Sequence, residues 1–307
     1  LGAFPKPSQR AKRLRKIAFR CPIVYLSGTP SPESFSQLYH QFWISERSPW
    51  LKYSNFYQWA RQYVNIYEMP RAGYNVKIYK KAKEDLVMQD CRHLFVSKTQ
   101  SEAGFKTEVD ERFIVWRAPE AIKKIYQDID DKGIFMRNED TIASVKTAPD
   151  MINKLSQVAG GTLIFDYDKD GTILTRRKAD FIRNEFDGKK IAIIYKYRAE
   201  FELLKDTFPN WTDRPEQFNE ADDRTFLGQF QSVREGVSLK SADAMVMYNI
   251  GFSATSYWQI RDRMMTRDRE DPAPLYWVFS NLGIEELVYK AVKGKQNFTY
   301  RYYKRTK

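Results

Sequence analysis

Lys189-Lys-Ile-Ala-Ile-Ile-Tyr-Lys-Tyr-Arg-Ala-Glu200 holds a near-continuous apolar run, residues 191–197, that passes directly into a predicted helix over 198–208. A short run without polar alternation predicts a strand buried on both faces. The same alternation extends outward on either side. Residues 178–186 predict a helix, 244–250 a buried strand, 253–265 a helix, 275–279 a strand and 284–292 a last long helix. Strands and helices taking turns in this way predict an α/β fold, a parallel sheet with helices on both faces.

Upstream the pattern changes. Residues 8–18 predict a helix with Ala11, Leu14 and Ile17 on one face, and Pro22 ends that segment. Residues 23–26 then predict a short buried strand, and 34–43 and 56–64 predict amphipathic helices rich in aromatics. Pro49 and Pro70-Arg-Ala-Gly73 punctuate loops, and 82–96 predict another helix. A strand is expected at 111–116, and Pro119 opens a helix at 120–129. The seam between domains falls at 97–118, with 1–96 before it and 119–307 after it.

Composition narrows the class. The 307 residues are 42% hydrophobic and 15% aromatic, enough for real cores and unlike a disordered chain. No apolar run approaches the roughly 18–20 residues of a membrane span, and no signal-peptide pattern opens the chain. The first residue is Leu1 and not Met, which reads as a processed chain or a fragment. Cys21 and Cys91 form no CxxC, and His40 and His93 do not cluster with them, which argues against a disulfide framework or zinc site. A reducing cytoplasm, bacterial or of a phage-infected host, is the expected setting.

The net charge of +12 is unevenly spread. Residues 1–20 carry seven cations and no acid, and residues 290–307 carry seven more, again with no acid. Taking these 14 from 51 leaves 37 basic against 39 acidic residues in the body. Basic ends with interleaved aromatics (Phe298, Tyr300, Tyr302, Tyr303) suit a polyanion such as nucleic acid. Asp166-Tyr-Asp168-Lys-Asp170-Gly171 mimics the start of a calcium loop, but its twelfth position is Arg177 where a glutamate is needed. The β-like flanks and Asp170-Gly171 predict a hairpin there.

Four stretches carry residues suited to phosphate chemistry. Ser27-Gly28-Thr29-Pro30 is a small-residue turn after a predicted strand, a place where α/β folds bind ligands. Arg198 opens the helix after the 191–197 strand, where a helix N-terminus favours an anion. Gln231-Ser232 and Gly236-Val237-Ser238-Leu239 combine a hydroxyl with a glycine that permits close backbone approach to a strand phosphate. Tyr257-Trp-Gln259-Ile-Arg-Asp-Arg263 precedes Thr266-Arg267.

In order and distance these stretches resemble the later motifs of a superfamily 2 helicase or translocase, most like the SWI/SNF-type branch. Residues 189–200 look like motif IV, 231–242 like motif V and 259–267 like motif VI. The resemblance implies a complete RecA-like second lobe preceded by a partial first RecA-like lobe. It implies a DNA helicase or translocase driven by ATP and Mg2+. It assigns Ser27, Gly28, Thr29, Gly236 and Ser238 to the nucleotide, Arg198 and Ser232 to nucleic acid, and Gln259, Arg263 and Arg267 to catalysis. Thr266 stands where the motif has its second arginine, with Arg267 beside it.

The earlier motifs are missing. The sequence has no GxxxxGK[ST] loop and no Asp-Glu-x-His-type magnesium motif. The implied partners are therefore nucleic acid, DNA more than RNA, and a first-lobe segment carrying the phosphate loop. The chain alone is expected neither to bind ATP tightly nor to hydrolyse it. The alternative is a non-catalytic nucleic-acid-binding or scaffold protein on a degenerate RecA-like fold.

Overall fold

The apolar run of residues 191–195 lies inside a six-stranded sheet in the computed structural model. The structure describes residues 1–307 apart from 28–29, 32–33, 72–73, 99–100, 139–140, 169, 234–236, 268 and 307. The chain forms two units, Leu1–Lys98 and Thr99–Lys307.

In the second unit we label the sheet strands β1 (Val109–Trp116), β2 (Ile191–Tyr195), β3 (Trp211–Thr212), β4 (Thr225–Gln229), β5 (Ala244–Met247) and β6 (Ala273–Ser280). Their order across the sheet is β1-β6-β5-β2-β4-β3, and every neighbouring pair is parallel. All residues of β2 and β5 are buried, as central strands covered on both faces must be. Helices Glu120–Lys132, Ala148–Ala159, Arg177–Glu185, Arg198–Thr207, Ala254–Arg261 and Ile284–Lys293 supply that cover and share one core with the sheet. Segment 97–118, read as the seam with a strand at 111–116, contains β1, which pairs with β6 along all eight residues.

The order of the strands sets where a ligand can enter. From β2 the chain moves to β3 and β4 on one side, and from β5 it moves to β6 on the other. β2 and β5 are neighbours whose connections diverge, and in open α/β sheets ligands bind beyond the carboxyl ends of such a pair.

Residues 162–163 and 172–173 pair antiparallel as the predicted hairpin. Asp168 is occupied within the turn, accepting from the Asp170 N–H at 3.0 Å and the Thr172 hydroxyl at 3.1 Å. Among the described residues no group of three His, Cys, Asp or Glu is arranged to hold a metal.

The first unit is built from helices Gln9–Ala18, Gln37–Phe42, Phe56–Tyr63 and Glu84–Cys91 and a hairpin of Tyr67–Arg71 with Tyr74–Ile78. Its core is aromatic, with Tyr39, Trp50, Phe56, Trp59 and Tyr63 in mutual ring contact. One expectation fails here. Residues 23–26 are extended but form no strand and are not buried; Val24 is 84% and Leu26 94% exposed. A strand needs a neighbour for its N–H and C=O groups, and among the described residues none pairs with this segment. The helix expected over 82–96 also stops early, at Cys91, leaving Val96 97% exposed.

Candidate functional site

Beyond the carboxyl ends of β2 and β5 lies a buried polar network. Glu200, in the first turn of helix Arg198–Thr207, is wholly buried. Its carboxylate accepts from the backbone N–H groups of Lys196 and Tyr197, both at 2.9 Å, and from Asn249 Nδ2 at 2.5 Å. Reaching back in this way satisfies donors that a helix start leaves open. Burial pushes the Glu200 carboxyl above its ordinary pKa, and the three donors oppose that shift.

Asn249, just past β5, ties the same carboxylate to the helix Ala148–Ala159 through the Ser156 hydroxyl and carbonyl, both at 3.0 Å. Gly160 ends that helix. A Cβ placed there would stand 2.1 Å from Glu200 Oε1, so only glycine fits beside the carboxylate. Gly160→Ala is expected to lower stability by about 1–3 kcal/mol as the carboxylate is displaced. Urea unfolding of the variant against the parent chain measures it.

Lys196 directly follows β2 and gives its backbone N–H to this network. Its Nζ lies 3.1 Å from the centre of the Phe252 ring and 4.6 Å from that of Tyr197. It has no hydrogen-bond acceptor among the described residues, and burial pulls its pKa well below the ordinary lysine value. A second buried pair sits beyond β6. Lys178 Nζ is 2.5 Å from Glu285 Oε1, with side chains 0% and 2% exposed. Glu285 also accepts from the Ser280 N–H at 2.6 Å.

The residues singled out from sequence fall into two groups. Arg198 is exposed at the start of its helix, and Ser232 is exposed on the short helix Phe230–Val233 that follows β4. Both therefore follow the carboxyl ends of parallel strands. Arg198 is not bare, since Asp170 of the hairpin lies 2.9 Å from its Nη1.

Ser238 and Arg263 belong to the second group, close to where β5 and β6 begin. The Leu239 N–H donates to the Arg263 carbonyl at 3.1 Å, joining the two stretches directly. Asn219 braces the same loop, donating to the Ser238 carbonyl at 2.9 Å and accepting from the Ser241 hydroxyl at 2.9 Å. Gln259 is half-buried on helix Ala254–Arg261, Arg263 is half-buried after that helix, and Arg267 is exposed.

Arg261 serves another purpose, with its Nε 2.7 Å from Glu111 of β1. Glu111 also accepts from Tyr257, Tyr289 and Lys293 at 2.9, 2.6 and 2.7 Å. Burial alone would raise the Glu111 pKa, but the four donors override it and hold it at about 2. Ser27 is exposed in the first unit, while Gly28, Thr29 and Gly236 lie outside the described residues.

No family model and no curated protein sequence matches the chain. Among the solved structures that resemble it are two ATPase-domain structures. One is the crystal structure of the C-terminal part of the Fun30 ATPase domain, at 12% identity and a TM-score of 0.43, covering 64% of this chain and 92% of that one. The other is the Sulfolobus solfataricus SWI2/SNF2 ATPase core domain, at 13% identity and a TM-score of 0.42. There the similarity covers 69% of this chain and 48% of the other, about half of its length.

The carboxyl-edge network was the part that sequence reasoning missed. A glutamate three residues after the helix-preceding Tyr197 is a capping spacing, and that signal was available at Glu200. Nothing local marks Asn249 or Lys178.

Proposed function

We propose that this chain is the carboxyl-terminal part of a SWI/SNF-like, nucleic-acid-dependent ATPase that moves on DNA in a cytoplasmic setting. In this reading residues 119–307 act as the second RecA-like lobe and 1–96 as the end of the first. The observation that carries it is the Leu239–Arg263 hydrogen bond of 3.1 Å. It joins the stretches resembling motifs V and VI on a parallel sheet whose carboxyl edge presents Arg198 and Ser232. Arg198, Ser232 and the helix start would grip a strand backbone without reading bases. Arg263 and Arg267 are the cations offered to a nucleotide held by a companion segment.

The residues described here do not by themselves fit ATP and Mg2+. The sequence has no phosphate loop, and no acidic cluster among the described residues is arranged for a metal. The companion segment is therefore part of the reading. Support for it comes from residues 22–27 and 94–96, which border an apolar groove of about 650 Å3 in the first unit. Residues 22–27 belong to no helix or strand. A second reading, a non-catalytic nucleic-acid-binding scaffold, is favoured by Thr266 at the second arginine position and by the missing phosphate loop.

Duplex DNA binding across a salt series tests the nucleic-acid half. Affinity should fall steeply with salt, and Arg198→Gln should flatten the log–log slope by about 0.9. Asp170→Asn frees Arg198 from an exposed pair and should strengthen binding roughly two- to fivefold. ATP turnover by the chain alone should be negligible. Adding a polypeptide with a GxxxxGK[ST] loop should produce DNA-stimulated turnover that depends on Arg263. Its failure to do so, with DNA binding intact, would favour the scaffold.

A further inference from the structure

The first unit contains a small pocket of about 130 Å3 that none of the motif stretches touches. Arg15, Trp43, Ser48, Trp50, Tyr53 and Ser54 line it. Arg15 comes from the basic helix Gln9–Ala18, and its guanidinium lies 4.4 Å from the Phe19 ring centre and 4.2 Å from that of Trp43. One Nη1–H donates to the Trp43 carbonyl. That bond and the two rings fix the fork while leaving its other N–H groups to donate.

Among the described residues no carboxylate pairs with Arg15. The one acid bound to a wall residue is already engaged. Asp90 accepts from the Trp50 indole at 2.9 Å and from the Tyr63 hydroxyl at 2.5 Å. The rest of the lining adds donors. Ser48 Oγ accepts from the Trp50 N–H at 3.2 Å, and Ser54 Oγ accepts from Asn55 Nδ2 at 3.1 Å. Each hydroxyl proton is left free to point at a ligand. Lys52 holds its Nζ 5.3 Å from the ring centre of Tyr53, a lining residue.

A fixed guanidinium, two hydroxyl donors and a nearby ammonium make a receptor for an anion. The volume is close to the about 150 Å3 that admits one benzene-sized molecule, so one compact group fits and a whole nucleotide does not. We propose that this pocket binds a phosphate group, with Arg15 as the charge and Ser48 and Ser54 as hydroxyl donors. The run of seven cations without an acid in residues 1–20, Arg15 among them, favours a multiply charged oxyanion over a carboxylate. The proposed function bears on this only through the source of the phosphate, a nucleic-acid backbone or a free phosphate.

The test uses the full chain with 5-fluorotryptophan and follows the 19F resonances of Trp43 and Trp50. Sodium phosphate should shift both saturably, where sodium chloride at equal ionic strength does not and sodium acetate does so at least tenfold more weakly. Arg15→Gln should weaken phosphate binding tenfold or more, and Arg15→Lys and Ser48→Ala severalfold without a changed melting midpoint. No saturable shift, acetate as effective as phosphate, or indifference to all three substitutions would overturn the site.

A duplex titration then separates the sources. If a strand phosphate occupies the pocket, Arg15→Gln lowers the salt slope by about 0.9. An unchanged slope beside a genuine phosphate shift assigns it to free phosphate. A chain that binds phosphate but no DNA keeps the pocket and removes the nucleic-acid reading.

Discussion

Lys178→Met should cost the second unit about 3–5 kcal/mol, enough to unfold a domain of ordinary stability. The reason is what it leaves behind. The Lys178 ammonium faces Glu285 at 2.5 Å in a site from which water is excluded. Its charge also lies 4.9 Å from the centre of the Tyr248 ring. Methionine keeps the volume of the stem and removes the charge, so the Glu285 carboxylate is stranded with only the Ser280 backbone and hydroxyl as partners. Pairing the change with Glu285→Gln removes the stranded charge and retains an acceptor for the Ser280 N–H. The double variant should recover most of the loss, because a matched neutral pair often equals a buried ion pair in stability. Urea unfolding of the two single variants and the double closes the cycle. A single variant that melts like the parent would show that this pair is not what fastens helix Arg177–Glu185 to the end of β6.

What could be read in advance follows from the range of each interaction. Residues 191–195 announce a buried central strand because all five are poorly soluble side chains, and the structure buries all five. The same reasoning misled at residues 23–26. A run of apolar residues shows strand competence, whereas burial depends on a neighbour that local sequence does not reveal. Pro70 was read as loop punctuation, yet it pairs with Asn75 inside a two-stranded ribbon. Both strands of such a ribbon are edges, where a missing N–H is tolerated.

The site divides along the same line. Arg198 at a helix start was legible because strand, turn and helix alternate locally, whereas β4 before Ser232 and the bond joining Leu239 to Arg263 emerge only from the fold. Glu200 with Asn249 spans 49 positions, and Lys178 with Glu285 spans 107. No periodicity links residues so far apart, so these pairings emerge only from the folded chain. The capping spacing pointed to Glu200, whereas its partner Asn249 and the Lys178–Glu285 pair carried no local signal.

Acid should loosen the first unit between pH 6.5 and about 4, through His40. This ring is 3% exposed, stacked on Phe56 with centroids 5.7 Å apart and edge-on to Tyr39 and Trp43. Its Nδ1–H donates to the Ala3 carbonyl at 2.7 Å. Burial lowers its pKa from 6.5 to about 4, partly opposed by that hydrogen bond. The folded state thus favours the neutral ring, so stability is full above the unfolded pKa of 6.5. It is lost as pH falls through the interval, because the unfolded chain takes up the proton first. The cost should reach about 2–3 kcal/mol near pH 4. The chain has only two histidines, so proton NMR can follow each ring. Exposed His93 serves as the internal reference, and His40 should stay neutral until the first unit opens. His40→Gln should remove the slope of unfolding free energy across this window while leaving the second unit unchanged. A His40 signal that titrates near 6.5 in the folded chain would contradict the argument, since a ring able to take a proton there cannot be sealed among Tyr39, Trp43 and Phe56.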